Sequence, residues 1–285
     1  GCGRHGDVTR FVELIERLPF LAAVAALTAA AGGAAPIEPP PRRPAIADGE
    51  QFVAALPSPD RACLAAAIGH YHQRLLREPA ALDYCAGRGL DRETLTRHRI
   101  GFAPARGERD DLLATLAREG FSPSRARRVG LADPRGREFL AGRIVIPELR
   151  DGEPIWAIGR RVAGAGPRYL GLPGTKPLLG LDEARGAGAV YLTEGPFDRL
   201  TLGRWGLPAV ALAGTGAGPV MDTDEAGREA TARLAGALGS RATPVALPHV
   251  KDVADLGRRP DGAAVFRRAV ERAEREERIR GLRAA

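Results

Sequence analysis

Ala189-Val190-Tyr191-Leu192-Thr193-Glu194-Gly195-Pro196-Phe197-Asp198 is the stretch on which the fold turns. Its first four residues form a buried-strand run, and 196–205 carries a helical pattern with a proline at its start. A second strand run, Ala209-Val210-Ala211-Leu212, follows. Strand, helix, strand in that order implies a parallel pair joined by a crossover, and so an α/β sheet. Further on, the pattern predicts a helix over 228–238, a strand over 244–247 and an amphipathic helix over 263–283 rich in Arg/Glu pairs.

Upstream of that stretch the periodicity differs. Helical spacing covers 62–76, 80–86, 91–97, 110–119 and 122–129, punctuated by Gly87, Gly89 and Gly120. The period then changes to two. The runs 143–147 and 154–158 flank Arg150-Asp151-Gly152-Glu153, whose Asp-Gly pair favours a hairpin. Residues 7–30 read as two short amphipathic helices broken at Pro19, and 31–48 collapse to Ala, Gly and Pro with three consecutive prolines, a stiffened linker.

With 285 residues the chain has room for two compact domains, and its 27% charged and 44% hydrophobic residues exclude a disordered or fibrous class. The net charge of +7 is unevenly spread. Between Phe121 and Lys176 lie ten Arg and one Lys against five acids, a local +6, which marks this region as the polyanion-binding face or as a solvated basic surface. Cys2, Cys63 and Cys85 are odd in number and far apart, so they build no disulfide framework or paired zinc knuckle. A reducing, cytoplasmic setting fits them. The apolar stretch at 21–35 is too short to span a bilayer, so no membrane role is expected. The only Met is Met221, and the chain opens on Gly1, as expected of residues that start inside a longer product.

Two acidic motifs sit where an open α/β sheet places its chemistry, beyond the carboxyl ends of strands. The first is Thr193-Glu194-Gly195-Pro196-Phe197-Asp198; the second is Asp222-Thr223-Asp224-Glu225-Ala226-Gly227, before a helix. A Glu and an Asp-x-Asp brought together are tolerated with a hard cation between them, and magnesium takes such oxygen ligands along with substrate phosphates. Each motif alone also fits an ordinary role: Asp222 as an N-cap, Glu194 as a first-turn acid.

Together and in this order the motifs resemble the TOPRIM domain shared by bacterial DnaG-type primases, topoisomerases and several nucleases. Glu194-Gly195-Pro196-Phe197-Asp198 is similar to its glutamate motif and Asp222-Thr223-Asp224-Glu225-Ala226-Gly227-Arg228 to its Asp-x-Asp motif. Gly214-Thr215 and Lys251-Asp252-Val253-Ala254-Asp255 resemble the primase version. Upstream, Arg88-Gly89-Leu90, Arg99 to Pro104, Gly142 to Pro147, Gly159-Arg160-Arg161-Val162, Arg168-Tyr169-Leu170 and Lys176 to Leu181 follow the primase catalytic core in order.

The resemblance implies a TOPRIM-type parallel sheet with flanking helices, preceded by a mixed α+β basic subdomain. The expected domains are a zinc-binding remnant at 1–30, the linker at 31–48, the basic subdomain at 49–185, TOPRIM at 186–260 and a C-terminal helix at 261–285. The implied activity is DNA-templated primer synthesis from ribonucleoside triphosphates on single-stranded DNA in the cytoplasm, with Mg2+ or Mn2+ and a replicative helicase as partner. Glu194, Asp222 and Asp224 would be catalytic and metal-binding, and Arg143, Arg161, Arg168, Tyr169 and Lys176 would face DNA and nucleotide. The alternatives are a TOPRIM nuclease or topoisomerase-like enzyme, and a single-strand binding module without catalysis.

The sequence departs from the family in two places. Cys2 resembles a remnant of a zinc ribbon whose partners are absent, and His5 does not replace them, so no zinc is expected. Only Gly216 to Met221 separates Gly214-Thr215 from Asp222, too few residues for a helix and a parallel strand. The segment is expected to be a surface loop that limits catalysis, although the nine residue steps from Ala213 to Asp222 can reach roughly 30 Å. Gly171 to Pro177 lacks the Lys-Ser/Thr of a P-loop, and nothing completes a metal pair at His70 and His72.

Overall fold

The computed structural model describes residues 56–107, 112–212 and 242–284, and these fall into two compact units, one ending at Gly188 and the other beginning at Ala189. In the first unit, helix α1 (Ser58–Arg77) buries Cys63, Leu64, Ala67, Ile68, Tyr71 and Leu75, an apolar stripe at helical spacing. It stops at Glu78, held extended (φ −112°, ψ 98°) by the proline that starts α2 (Pro79–Ala86). Helix α3 (Arg92–Arg97) is capped by Asp91, whose carboxylate accepts from Thr94 N at 2.8 Å. Strand β1 (Gly101–Ala103) and helices α4 (Leu112–Arg118) and α5 (Pro123–Val129) follow.

Strands β2 (Arg143–Arg150) and β3 (Glu153–Arg161) form the expected hairpin, closed by Asp151 and Gly152, both at positive φ (49° and 78°). Two consecutive positive φ values are what a type I′ turn requires, which is why Asp-Gly is the strong signal there. With β4 (Tyr169–Gly171) the strands form an antiparallel sheet in the order β1-β2-β3-β4, and a short helix α6 (Leu181–Ala184) ends the unit. Ile100, Leu112, Leu116, Leu131, Leu140, Ile144, Ile146 and Ile158 fill its core beside the α1 stripe.

The second unit carries the predicted strand, helix, strand. Strand β5 (Tyr191–Thr193) and β6 (Ala209–Ala211) pair in parallel, Tyr191 opposite Ala209 and Thr193 opposite Ala211, with α7 (Pro196–Arg204) as the crossover. Helices α8 (Val253–Gly257) and α9 (Gly262–Ala284) pack beneath them around Leu202, Ala209, Val253, Leu256 and Phe266. Residues 244–247 form no strand. Pro244 has no N–H to give a ladder, and the Ala246 carbonyl accepts from Arg272 of α9 at 3.3 Å. No helix among the described residues is long and apolar enough to cross a membrane.

Candidate functional site

Glu194 directly follows β5, where the chain leaves the carboxyl edge of the parallel pair. The edge is held firmly: Leu212 N donates to Thr193 O at 3.1 Å, and the buried Thr193 hydroxyl donates to Val210 O at 3.2 Å. Gly195 stays extended and Pro196 starts α7, so the turn that carries Glu194 is fixed on both sides. The half-buried Asp198 carboxylate lies in the first turn of the helix and accepts from Ala254 N, at the start of α8, at 2.8 Å.

That contact joins the glutamate motif to Lys251-Asp252-Val253-Ala254-Asp255. In the latter, Asp252 caps α8 by accepting from Asp255 N at 2.8 Å, while Asp255 takes Arg258 Nη2 at 2.5 Å. Lys251, His249, Arg258 and Arg259 line an open basic depression with Leu247, Val250 and Asp255. Asp222 and Asp224 lie outside the described residues, as do the 214–221 link, the predicted helix at 228–238, Cys2, His5 and the 31–48 linker. Among the described residues no three His, Cys, Asp or Glu side chains gather as a metal site. Cys63 and Cys85 are free and buried.

In the first unit the basic residues belong to the hairpin and β4. Arg143 and Arg161 are directly opposed across β2 and β3, which puts them on one face of the sheet. Arg143 is only 6% exposed, and its guanidinium donates to Pro167 O at 3.1 Å, Gly159 O at 3.3 Å and Arg168 O at 3.4 Å. Burial, with the like charge of Arg161 beside it, lowers its pKa. Arg161 donates to Gly166 O. The two arginines thus hold the 162–168 loop by its carbonyls, and that loop presents the exposed Arg168.

Tyr169 is opposed to Arg160, whose guanidinium lies 4.9 Å from the Tyr169 ring centroid while its Nε donates to Tyr84 Oη at 3.2 Å. Lys176 is half-buried just before the buried Pro177-Leu178-Leu179. Sequence reasoning gave no role of their own to Arg160 and Asp198, which it quoted only within motifs, and missed Glu148, a 1% exposed carboxylate on β2 that accepts from Gly180 N at 2.8 Å and Arg150 Nε at 3.2 Å. Only the strand register distinguishes Arg160 from its neighbour Arg161.

Residues 70–177 match the family model described as the DNA primase catalytic core, N-terminal domain. Among curated relatives, the DNA primase of Deinococcus radiodurans is 31% identical over 93% of this chain and 50% of its own length. That of Thermotoga maritima is 29% identical over 75% of this chain and 38% of its own. The chain therefore spans half or less of those relatives. Among solved structures, the RNA polymerase domain of Mycobacterium tuberculosis primase DnaG, in complex with a double-stranded DNA oligomer with a 6-nucleotide overhang, superposes with a TM-score of 0.65. It is 26% identical and covers 76% of this chain and 81% of that one. The Escherichia coli primase catalytic core gives 0.58 at 25% identity, over 74% and 79%.

Proposed function

Because the chain belongs to the bacterial DnaG-type primases, we propose that it is a primase catalytic core, joining ribonucleoside triphosphates into primers on single-stranded DNA in the cytoplasm. The observation that carries this reading is Glu194 at the carboxyl edge of the parallel β5–β6 pair, in a chain whose 70–177 segment matches the primase core. A strand end of that kind is where open α/β sheets place ligands.

Glu194, Asp222 and Asp224 are the hard oxygen donors that would hold a divalent cation, Mg2+ or Mn2+. A cation bound there supplies neutralisation of the triphosphate and of charge developing in phosphoryl transfer. Glu194, on its fixed turn, would be a further ligand or the acceptor of the proton leaving the attacking hydroxyl. The hydroxyl oxygen bonds to the α-phosphorus as the bond to the β-phosphate bridge breaks, and pyrophosphate leaves. Arg161, Arg168, Tyr169 and Lys176 hold template and nucleotide, with Arg143 shaping the loop that presents Arg168. A replicative helicase is the further partner of this reading.

Incorporation of labelled ribonucleotides on a single-stranded template, with Mg2+, with Mn2+ and with chelator, tests it. Metal-dependent synthesis that is lost in E194Q, D222N and D224N is expected. A chain that binds the template and incorporates nothing is a binding module, and the catalytic reading falls.

A further inference from the structure

Asp60 is a 3% exposed carboxylate on α1, and two guanidinium groups from α5 converge on it. Arg128 grips it with Nε at 2.8 Å and Nη2 at 3.0 Å, and Arg125 adds Nε at 3.2 Å. Arg128 alone, in a two-point grip, compensates the buried charge. The second arginine adds a further positive charge at the same carboxylate and leaves Asp60, Arg125 and Arg128 together at +1. An anion in front of the two guanidinium groups would balance that excess.

The donor count agrees. A guanidinium has five N–H groups; Arg125 spends one here and Arg128 two. Both terminal nitrogens of Arg125 and Nη1 of Arg128 have no other acceptor among the described residues. Their side chains are 30% and 57% exposed, so they are oriented from below and open above. The exposed Arg127 lies between them in the chain, and Arg61 and Arg118 lie on the neighbouring α1 and α4. Glu119 is the only acid between residues 112 and 132.

The cluster is also continuous with the hairpin surface. Helix α5 ends at Gly130 in the left-handed region (φ 85°), and a Cβ there would lie 2.3 Å from Cδ of Pro173. Pro173 belongs to the loop between Tyr169 and Lys176, and Arg128 is two residue steps, at most about 7 Å of chain, from Gly130.

We propose that Arg125 and Arg128, positioned by Asp60, form a subsite for a backbone phosphate of single-stranded nucleic acid, extending the hairpin surface onto α5. This rests on the reading that the chain binds single-stranded DNA. Asp60 touches no ligand and acts through the two arginines.

The test is fluorescence anisotropy of the full chain with a labelled single-stranded 30-mer across a salt series, for wild type, R125Q/R128Q and D60N/R125Q/R128Q. The triple exchange leaves no buried carboxylate unpaired, and a thermal melt checks that it folds. Loss of one phosphate contact makes the slope of log K against log salt shallower by about 0.7 in both variants. If the wild type binds the 30-mer and the variants keep its slope, this proposal alone is overturned. If the wild type binds no single strand, the functional reading fails and the subsite with it. Inorganic tripolyphosphate and poly-glutamate serve as competing probes. Variants that lose tripolyphosphate binding but keep the DNA slope assign the site to free phosphate. Poly-glutamate that displaces DNA from the wild type and not from the variants assigns it to an acidic protein. Either result overturns the nucleic-acid assignment.

Discussion

Asp198 Oδ1 accepts the Ala254 backbone amide at 2.8 Å, so a side chain from the crossover helix caps a helix 56 residues further along. Two motifs that read separately in the sequence are one structural unit: the turn carrying Glu194 and the start of α8 are tied through Asp198. A side-chain cap contributes about 1 kcal/mol. D198A should lower the unfolding free energy by about that amount and reduce ribonucleotide incorporation, whereas D198N, which keeps an acceptor, should restore both. Urea melts and the incorporation assay read these out. Full activity in a destabilised D198A would confine the residue to stability.

The hairpin and the β5–α7–β6 unit were legible because local signals decide them: Asp151-Gly152 fits a single turn type, and the apolar runs at 189–192 and 209–212 flank a proline-started helix. The 244–247 run carries the same apolar signal and forms no strand, since pairing depends on a neighbour that periodicity does not see. Strand β1, three residues long, is too short to give a period. Charge at 121–176 was readable, but which arginine is buried was not: Arg143 and Arg168 look alike in sequence, and only the fold buries one and exposes the other. Asp60 meets Arg125 and Arg128 across 65 and 68 residues, a separation no local pattern reports.

That difference between Arg143 and Arg168 is testable. R143A removes a buried charged donor from three carbonyls and should cost about 2 kcal/mol, with little change in the salt slope of single-strand binding. R168A removes an exposed charge, so stability should stay within about 0.5 kcal/mol while the slope falls by about 0.7. Equal slope losses in the two variants would place Arg143 at the nucleic acid itself.

Phe266 is the aromatic centre of the second unit. It is 3% exposed, with its ring centroid 5.2 Å from that of Tyr191 and 5.9 Å from that of Trp205. F266A should destabilise this unit by about 3 to 5 kcal/mol through lost burial and the cavity left behind. Limited proteolysis should then cut beyond Ala189 well before the first unit is lost. Simultaneous loss of both units would show that they unfold as one.

The Asp60 cluster gives the chain a defined acid response. Its hydrogen bond from Arg128 holds the Asp60 pKa below the ordinary 3.8, against the opposing effect of burial. The unfolded chain therefore binds the proton more readily, and stability rises with pH through this window. The contribution is fully present above about pH 4 and is lost as pH falls through the folded value. D60N carries no such titration. Urea melts of wild type and D60N at pH 7, 5, 4 and 3 should show a gap in unfolding free energy that is constant from 7 to 5 and narrows below 4. Asp133 and Asp261, also lowered by arginine partners, are present in both proteins and cancel in the difference. A gap of equal size at all four pH values would mean that the Asp60 charge adds nothing to the α1–α5 contact, leaving only its shape and hydrogen bonds.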